Sequence, residues 1–226
     1  MSEQIAFIFD MDGVIADNMT YHAQSWIELF KDKGHDVDLN EFNLYAAGRK
    51  AEEVLEHYLS HPFSENEATC LSQQKDLLYR YLYRPHLKPL EGLLKFITKA
   101  RELNIPMGIG TGSSPENIEF ILNGLNIKSF FSSIIGAAQV KNGKPDPEIF
   151  LRVSQELDVL PENCIVFEDS QFGIQAARRA AMKVIGLSTS HNDGELNSFG
   201  EVIQTAKDFT HIDPQMLIST YKPSYS

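Results

Sequence analysis

The sequence predicts an α/β protein: a parallel β-sheet covered by helices on both faces, three layers in all, with a helical module inserted near its start. Three observations carry this. Short apolar runs alternate with helix-period stretches along most of the chain. The alternation breaks once, from about Asp17 to Leu87, in a stretch with no convincing strand. The 226 residues suffice for one large domain or for a core plus a smaller module.

The strand-like runs are Ile5–Phe9, Pro106–Gly110, Ser133–Gly136, Cys164–Phe167 and Lys183–Gly186. Between the later ones lie helix-period stretches over Leu90–Leu103, Pro115–Leu125, Pro147–Leu157 and Ser170–Ala181. Two carry start signals: Ser114-Pro115 with Glu116 in the first turn, and Asp146-Pro147 with Glu148. The interrupting stretch reads as helices over Tyr21–Lys33, roughly Asn40–Ala46, Ala51–Leu59 and Glu65–Tyr83, with Tyr21, Ser25 and Leu29 at helical spacing. The expected division is residues 1–16 with 88–226 as core and 17–87 as insert. The insert leaves the chain directly after the first strand, where it could close over whatever binds at the strand ends. A helical subdomain with no catalytic role is the alternative.

Composition narrows the function. The chain is 42% hydrophobic and 23% charged, as in soluble globular domains, and its formal net charge is −11. That balance argues against nucleic acid and anionic membranes as partners, since both need a basic face. It leaves room for a small anionic substrate held by a few local lysines and a metal. The two cysteines, Cys70 and Cys164, make no disulfide framework or zinc pattern. No run approaches the roughly 18 apolar residues of a membrane span. Met1-Ser2-Glu3-Gln4 lacks the basic region and cleavage pattern of a signal peptide, so a reducing cytoplasm is the expected compartment. A monomer is the simplest state for a module that must open and close.

The chemistry concentrates at strand ends. The run Ile5–Phe9 delivers Asp10, then Met11, then Asp12 and Gly13. Two carboxylates this close repel each other unless a cation lies between them or one keeps its proton. Such a pair suits an aspartyl nucleophile beside a proton-shuttling partner. An ordinary strand-to-turn exit would use the same residue types. Ile165-Val166-Phe167-Glu168-Asp169 repeats the pattern, and Asp169 could ligate Mg²⁺, with Glu168 in direct contact or one layer behind. Caps for the next helix are the alternative, but two acid-tipped strands in one α/β chain favour a shared metal. Gly110-Thr111-Gly112-Ser113-Ser114 joins a strand to a helix N-terminus through a hydroxyl-rich turn, a surface suited to phosphate. Lys144, fixed ahead of Pro145 and Pro147, could neutralise a phosphate oxygen and the nucleophilic carboxylate; on its own it reads more readily as an exposed loop lysine.

Asp10-Met11-Asp12-Gly13-Val14, Thr111 after its strand, Lys144-Pro145 and Glu168-Asp169 resemble, in order, the four motifs of the haloacid dehalogenase superfamily. The resemblance covers the chain to about residue 190 and implies a Rossmann-like core with a helical cap. Within it the chain is similar to beta-phosphoglucomutase and its phosphatase relatives, through Tyr21-His22 with Trp26 and through Glu168-Asp169-Ser170-Gln171 followed by Gly173-Ile174-Gln175-Ala176. The resemblance implies that Asp10 attacks phosphorus to give an aspartyl phosphate and that Asp12 protonates the leaving oxygen and then activates water or a second hydroxyl. It implies Mg²⁺ on Asp10, the backbone carbonyl of Asp12 and Asp169. Thr111, Ser113 and Lys144 would hold the transferring phosphoryl group, and His22 occupies a cap-hinge position that helps set when Asp12 is engaged.

One departure bears on the activity. The mutase carries a cap lysine before a glycine and an arginine, to hold a second phosphate. Aligned on Gly48, this chain has Ala47 in the lysine's place. Arg49, Lys50 and Lys75 could supply charge, with Arg49, Lys75 and Tyr79 among the candidates for substrate selection. The missing lysine points to hydrolysis of a small phosphorylated metabolite such as a sugar phosphate. A phosphohexomutase is the alternative, with an inorganic pyrophosphatase or a non-catalytic binding protein further behind.

Overall fold

The computed structural model describes residues 4–46, 51–60, 62–199 and 202–221. The chain divides into two compact units, Met1–Asp17 with Lys88–Ser226 and, separately, Asn18–Leu87.

In the larger unit, strands β1 (Ala6–Phe9), β2 (Met107–Gly110), β3 (Ser133–Ile135), β4 (Cys164–Glu168), β5 (Lys183–Leu187) and β6 (Gln204–Ala206) form one sheet in the order β3-β2-β1-β4-β5-β6, and every pairing is parallel. The chain starts in the middle, builds outward to β3, then returns to lay β4 on the other side of β1. Strand order therefore reverses at the β1–β4 pair, and a ligand crevice in such sheets opens at the carboxyl ends of those strands.

Period-two alternation sorts the core. Ala6 and Ile8 of β1 and Cys164 and Val166 of β4 enter a cluster with Ile149, Phe150 and Val153 of α7 (Glu148–Glu156) and Ile174, Ala176 and Ala177 of α8 (Gln171–Arg179). Phe7, Phe9 and Phe167 face the other way and meet Phe96 of α5 (Leu93–Glu102) and Phe209; the Phe9 and Phe167 rings stack at 4.8 Å. The same parity sends Asp10 and Glu168, the next residues in each series, out on the α7–α8 face.

Four core helices end alike. After α5, α6 (Pro115–Gly124), α7 and α8 the chain passes through one left-handed residue, Asn104 (φ 56°), Asn126 (55°), Asp158 (54°) and Ala181 (59°). In each case the next N–H reaches back across the turn to the helix: Ile105 to Ala100, Ile127 to Leu122, Val159 to Ser154 and Met182 to Ala177. These are Schellman caps, and the residue closing each is apolar and buried, which feeds the chain into the core. Asn and Asp tolerate the left-handed region; Ala181 has no side-chain compensation for it. Ala181→Gly is expected to raise stability by about 1 kcal/mol, read as an increase in melting temperature.

The sequence reading placed five strands, and the structure adds β6, α9 (Asp193–Ser198) and α10 (Pro214–Tyr221). β6 is a three-residue edge strand, Gln204-Thr205-Ala206, without apolar patterning. α10 buries Pro214 and Leu217.

In the smaller unit, α1 (Met19–Asp32), α2 (Leu39–Ala46), α3 (Ala51–Leu59) and α4 (Glu65–Tyr83) surround their own core of Leu29, Phe30, Phe42, Val54, Leu55 and Ala68. A reciprocal cap fixes the start of α4: Ser64 Oγ accepts from Glu67 N–H while the Glu67 carboxylate accepts from Ser64 N–H. Among the described residues no helix is long and apolar enough to cross a membrane.

Candidate active site

β1 and β4 run in register with Phe9 opposite Phe167, and Asp10 N–H donates to the Phe167 carbonyl at 3.0 Å. Their next residues, Asp10 and Glu168, therefore stand side by side at the strand ends, with Asp169 adjacent. Oxygen atoms of all three carboxylates lie within 4.8 Å of one another, and all three residues are buried.

The turn after β1 makes room for them. Met11 C=O accepts from the N–H groups of Val14, Ile15 and Ala16, and Gly13 sits at φ +78°. A Cβ on Gly13 would fall 2.0 Å from Asp169 Oδ2, so this position needs glycine for its conformation and for the closeness of the carboxylate.

Lys144 is the cation of the cluster. Its Nζ lies 2.6 Å from Asp10 Oδ1 and 2.7 Å from Glu168 Oε1, 4.8 Å over the Phe150 ring, with the side chain 13% exposed. The reading of Lys144 as an exposed loop lysine is thus corrected. Its loop is tied down: Glu148 accepts from Lys141 and Asn142 N–H, Asp146 accepts from Glu148 N–H, and Arg179 donates to Pro145 C=O. Glu168 is held from both sides, since Oε2 accepts from Asp169 N–H, Ser170 N–H and Ser170 Oγ. The cap of α8 is Ser170, whose Oγ accepts from Gly173 N–H, so the alternative in which the two acids merely cap that helix does not describe this junction.

Electrostatics follow from three buried acids facing one ammonium. Burial pushes the Asp10 carboxyl up to about 7; Lys144 opposes this, and the charges of Glu168 and Asp12 add to it. Burial, then the charges of Glu168 and Asp10, raise Asp169 well above the usual carboxylate range. Burial disfavours the charge on Lys144, but Asp10 and Glu168 outweigh it and hold the ammonium above its ordinary range. With all three acids ionised the site would carry an excess of two negative charges, and its oxygen donors fit a hard divalent cation.

Asp12 lies outside this carboxylate cluster. It is partly exposed, and its Oδ2 accepts a hydrogen bond from Ser113 Oγ. Thr111 and Ser113 come from the turn after β2; Thr111 Oγ1 accepts from Ser113 N–H at 3.2 Å, and both residues are buried. The larger unit thus brings together Asp10, Asp12, Thr111, Ser113, Lys144, Glu168 and Asp169. His22 and Lys75 belong to the smaller unit. His22 stacks on Tyr79 at 3.8 Å, and Lys75 pairs with Asp76 at 2.6 Å and lies 5.5 Å over Trp26. Arg49, with Ala47, Gly48 and Lys50, lies outside the described residues.

Three contributors escaped the sequence reading. Ser190 Oγ donates to Asp169 Oδ2, and Thr189 Oγ1 donates to Gly13 C=O at 2.6 Å, tying the β5 exit to the turns after β1 and β4. The signal available was a second hydroxyl run at a strand end, Ser188-Thr189-Ser190, like the one after β2. For the third, Gly173, quoted above only among the residues of the resemblance, it is the role that was missed: its missing side chain leaves space for Glu168.

A parallel sheet with acids at its order-reversal point, a buried lysine between them and a hydroxyl turn beside them define a Rossmann-like hydrolase core. Residues 7–187 match the family described as haloacid dehalogenase-like hydrolase, and the chain belongs to it. It is 32% identical over 178 residues to the fructose-1-phosphate phosphatase YqaB of Escherichia coli (strain K12), covering 79% of this chain and 93% of that protein. It is 34% identical over 192 residues to the beta-phosphoglucomutase of Bacillus subtilis (strain 168), covering 80% and 82%. Against the longer chloroplastic 5-amino-6-(5-phospho-D-ribitylamino)uracil phosphatase of Arabidopsis thaliana, 28% identical, it spans 57% of that protein's length. A solved structure of a HAD hydrolase of family IA, variant 3, from Entamoeba histolytica HM-1:IMSS superposes with a TM-score of 0.90 at 28% identity, covering 97% of this chain and all of that one.

Proposed function

We propose that the protein is a Mg²⁺-dependent phosphohydrolase of a small phosphorylated metabolite, most simply a sugar phosphate, working through an aspartyl phosphate on Asp10. The observation that carries the reading is the contrast in surroundings between two aspartates. Asp10 is buried and bound to Lys144, whereas Asp12 is partly exposed and outside the charged cluster. A nucleophile and a proton carrier need such separate environments.

In the first step an Asp10 carboxylate oxygen attacks phosphorus, the bond from phosphorus to the ester oxygen breaks, and Asp12 gives that oxygen its proton. In the second, Asp12 takes a proton from water, the water oxygen bonds to phosphorus, and the Asp10–phosphorus bond opens to release phosphate. Lys144 favours the ionised form of Asp10 against the effect of burial and neutralises phosphoryl charge, while Thr111, Ser113 and the turn amides receive the remaining oxygens. Asp10 and Asp169 are the residues that would hold Mg²⁺; Glu168, whose oxygens already serve Lys144 and three other donors, orients the set. The cation would supply positive charge where carboxylate and phosphoryl oxygens approach. The helical unit 18–87 is read as the cap that selects the substrate, with His22, Arg49 and Lys75 as its candidate contacts.

A beta-phosphoglucomutase activity is the second reading, favoured by the Bacillus subtilis relative. Ala47, where the mutase pattern has lysine, favours hydrolysis. The two separate in one experiment: phosphate release from a panel of sugar monophosphates and pyrophosphate, beside conversion of beta-glucose 1-phosphate with a trace of bisphosphate. Hydrolysis of one ester, lost on chelation and reduced by ~10²-fold or more in Asp12→Ala, is the expected result. Isomerisation outpacing release would make the protein a mutase.

A further inference from the structure

Toward the end of the sheet opposite the acidic cluster lies a cleft of about 680 Å³ lined by Arg178, Arg179 and Lys183, with Met182 and Phe199 among its apolar residues. Lys183 is the first residue of β5 and pairs with Ile165, three residues before the Gly186–Glu168 pair. The cleft therefore opens roughly 10 Å along the strands from Glu168, toward their amino ends.

Three cations sharing a cleft are unexpected in a chain of net charge −11, and no carboxylate is among the described lining residues. The pull of a helix C-terminus on cations explains why Arg178 and Arg179 close α8. It does not explain Lys183 on a neighbouring strand, or the apolar residues that share the cleft with all three. Arg179 gives one N–H to Pro145 C=O at 2.8 Å, and Lys183 gives one to Glu162 C=O at 2.6 Å, which leaves each with further donors. The Arg178 guanidinium is exposed, with no partner among the described residues. The volume is that of a metabolite site, and the lining combines cationic groups with an aromatic ring.

We propose that this cleft is a second small-molecule site, for a phosphate- or phosphonate-type dianion carrying an apolar or planar group. Its position gives it a route to the catalytic end. Pro145 follows Lys144, so an occupant that draws Arg179 away from the Pro145 carbonyl slackens the loop that presents Lys144 to Asp10 and Glu168.

Phenylphosphonate is a suitable probe, since it joins a dianion to a ring through a bond that phosphoester hydrolysis does not cleave. Calorimetric titration is done with chelator present, where the acidic cluster repels anions. One-to-one saturable binding is expected, weakened ~10-fold or more in Arg178→Gln and again in Arg178→Gln/Lys183→Gln. Arg178 is exposed, so its variant tests the site without threatening the fold. Absence of saturable binding, or binding equally strong in both variants, overturns the site. The second arm is turnover with Mg²⁺, and it rests on the hydrolase reading; the binding arm does not, so the two can fail separately. The probe is expected to lower kcat at saturating substrate in the wild type and not in Arg178→Gln. Binding with kcat unchanged would overturn the link through Arg179.

Discussion

Asp10→Asn is expected to lose turnover by ~10⁴-fold or more and, with chelator present, to be more stable than the wild type. Both effects come from one carboxylate. Asn keeps the shape but cannot attack phosphorus. The stability gain follows from the charge excess, because burial, with Glu168 and Asp12, lifts the Asp10 carboxyl from 3.8 to about 7 against the opposing pull of Lys144. The native state then holds this proton more tightly than the unfolded chain does. Between about pH 4 and 7 the unfolded chain loses it first, so metal-free stability falls as pH rises through that window. Asn has nothing to titrate, and the variant's advantage should be absent below the window and complete above it. It should amount to no more than a few kcal/mol, because Asn also gives up the ion pair with Lys144. Added Mg²⁺ should reverse the order by stabilising the wild type more. Thermal melts across pH, with chelator and with Mg²⁺, test each step. A variant less stable than the wild type at every pH in chelator would mean that Lys144 alone balances the three acids.

What could be read from sequence here follows the range over which each interaction acts. Acids at the tips of apolar strands were legible because strand, turn and charge are contiguous, as in Phe9-Asp10-Met11-Asp12-Gly13 and Phe167-Glu168-Asp169. The sheet order was not, because nothing local tells β4 to pair with β1 rather than with β3. Lys144 was ambiguous alone; its ion pairs join positions 134 and 24 residues apart, and only the folded loop decides between solvent and the acids. β6 was missed because an edge strand of Gln204-Thr205-Ala206 needs little apolar patterning, having one neighbour and one exposed side. Ser190 and Thr189 were missed for a related reason. A hydroxyl shows no periodicity, and its partner, Asp169 or Gly13, is set by the register of β5 against β4.

Gly173→Ala is expected to destabilise the protein by ~3 kcal/mol or more and to cut turnover by ~10²-fold or more, although alanine is the better helix former. Gly173 lies in the first turn of α8 and is not among the positive-φ residues, so its backbone does not require glycine. Its neighbour does. A Cβ there would fall 1.6 Å from Glu168 Oε1 and 1.9 Å from Glu168 Cδ. Glu168 is fully buried, so the carboxylate cannot swing into solvent to make room. It would have to withdraw Oε1 from Lys144, whose hydrogen bond that oxygen accepts, and disturb Oε2, which accepts from Asp169 N–H, Ser170 N–H and Ser170 Oγ. Lys144 would then face Asp10 alone, and its ammonium would lose its second anchor. The background sets the sign of the effect. Once Glu168 is itself replaced by alanine the obstacle is gone, and Gly173→Ala should regain the ordinary stabilising effect of about 1 kcal/mol. Denaturant unfolding of the two single variants and the double variant measures this. Equal destabilisation in both backgrounds would place the clash somewhere other than Glu168, and with it would fall the idea that a missing side chain on α8 holds Lys144 in place.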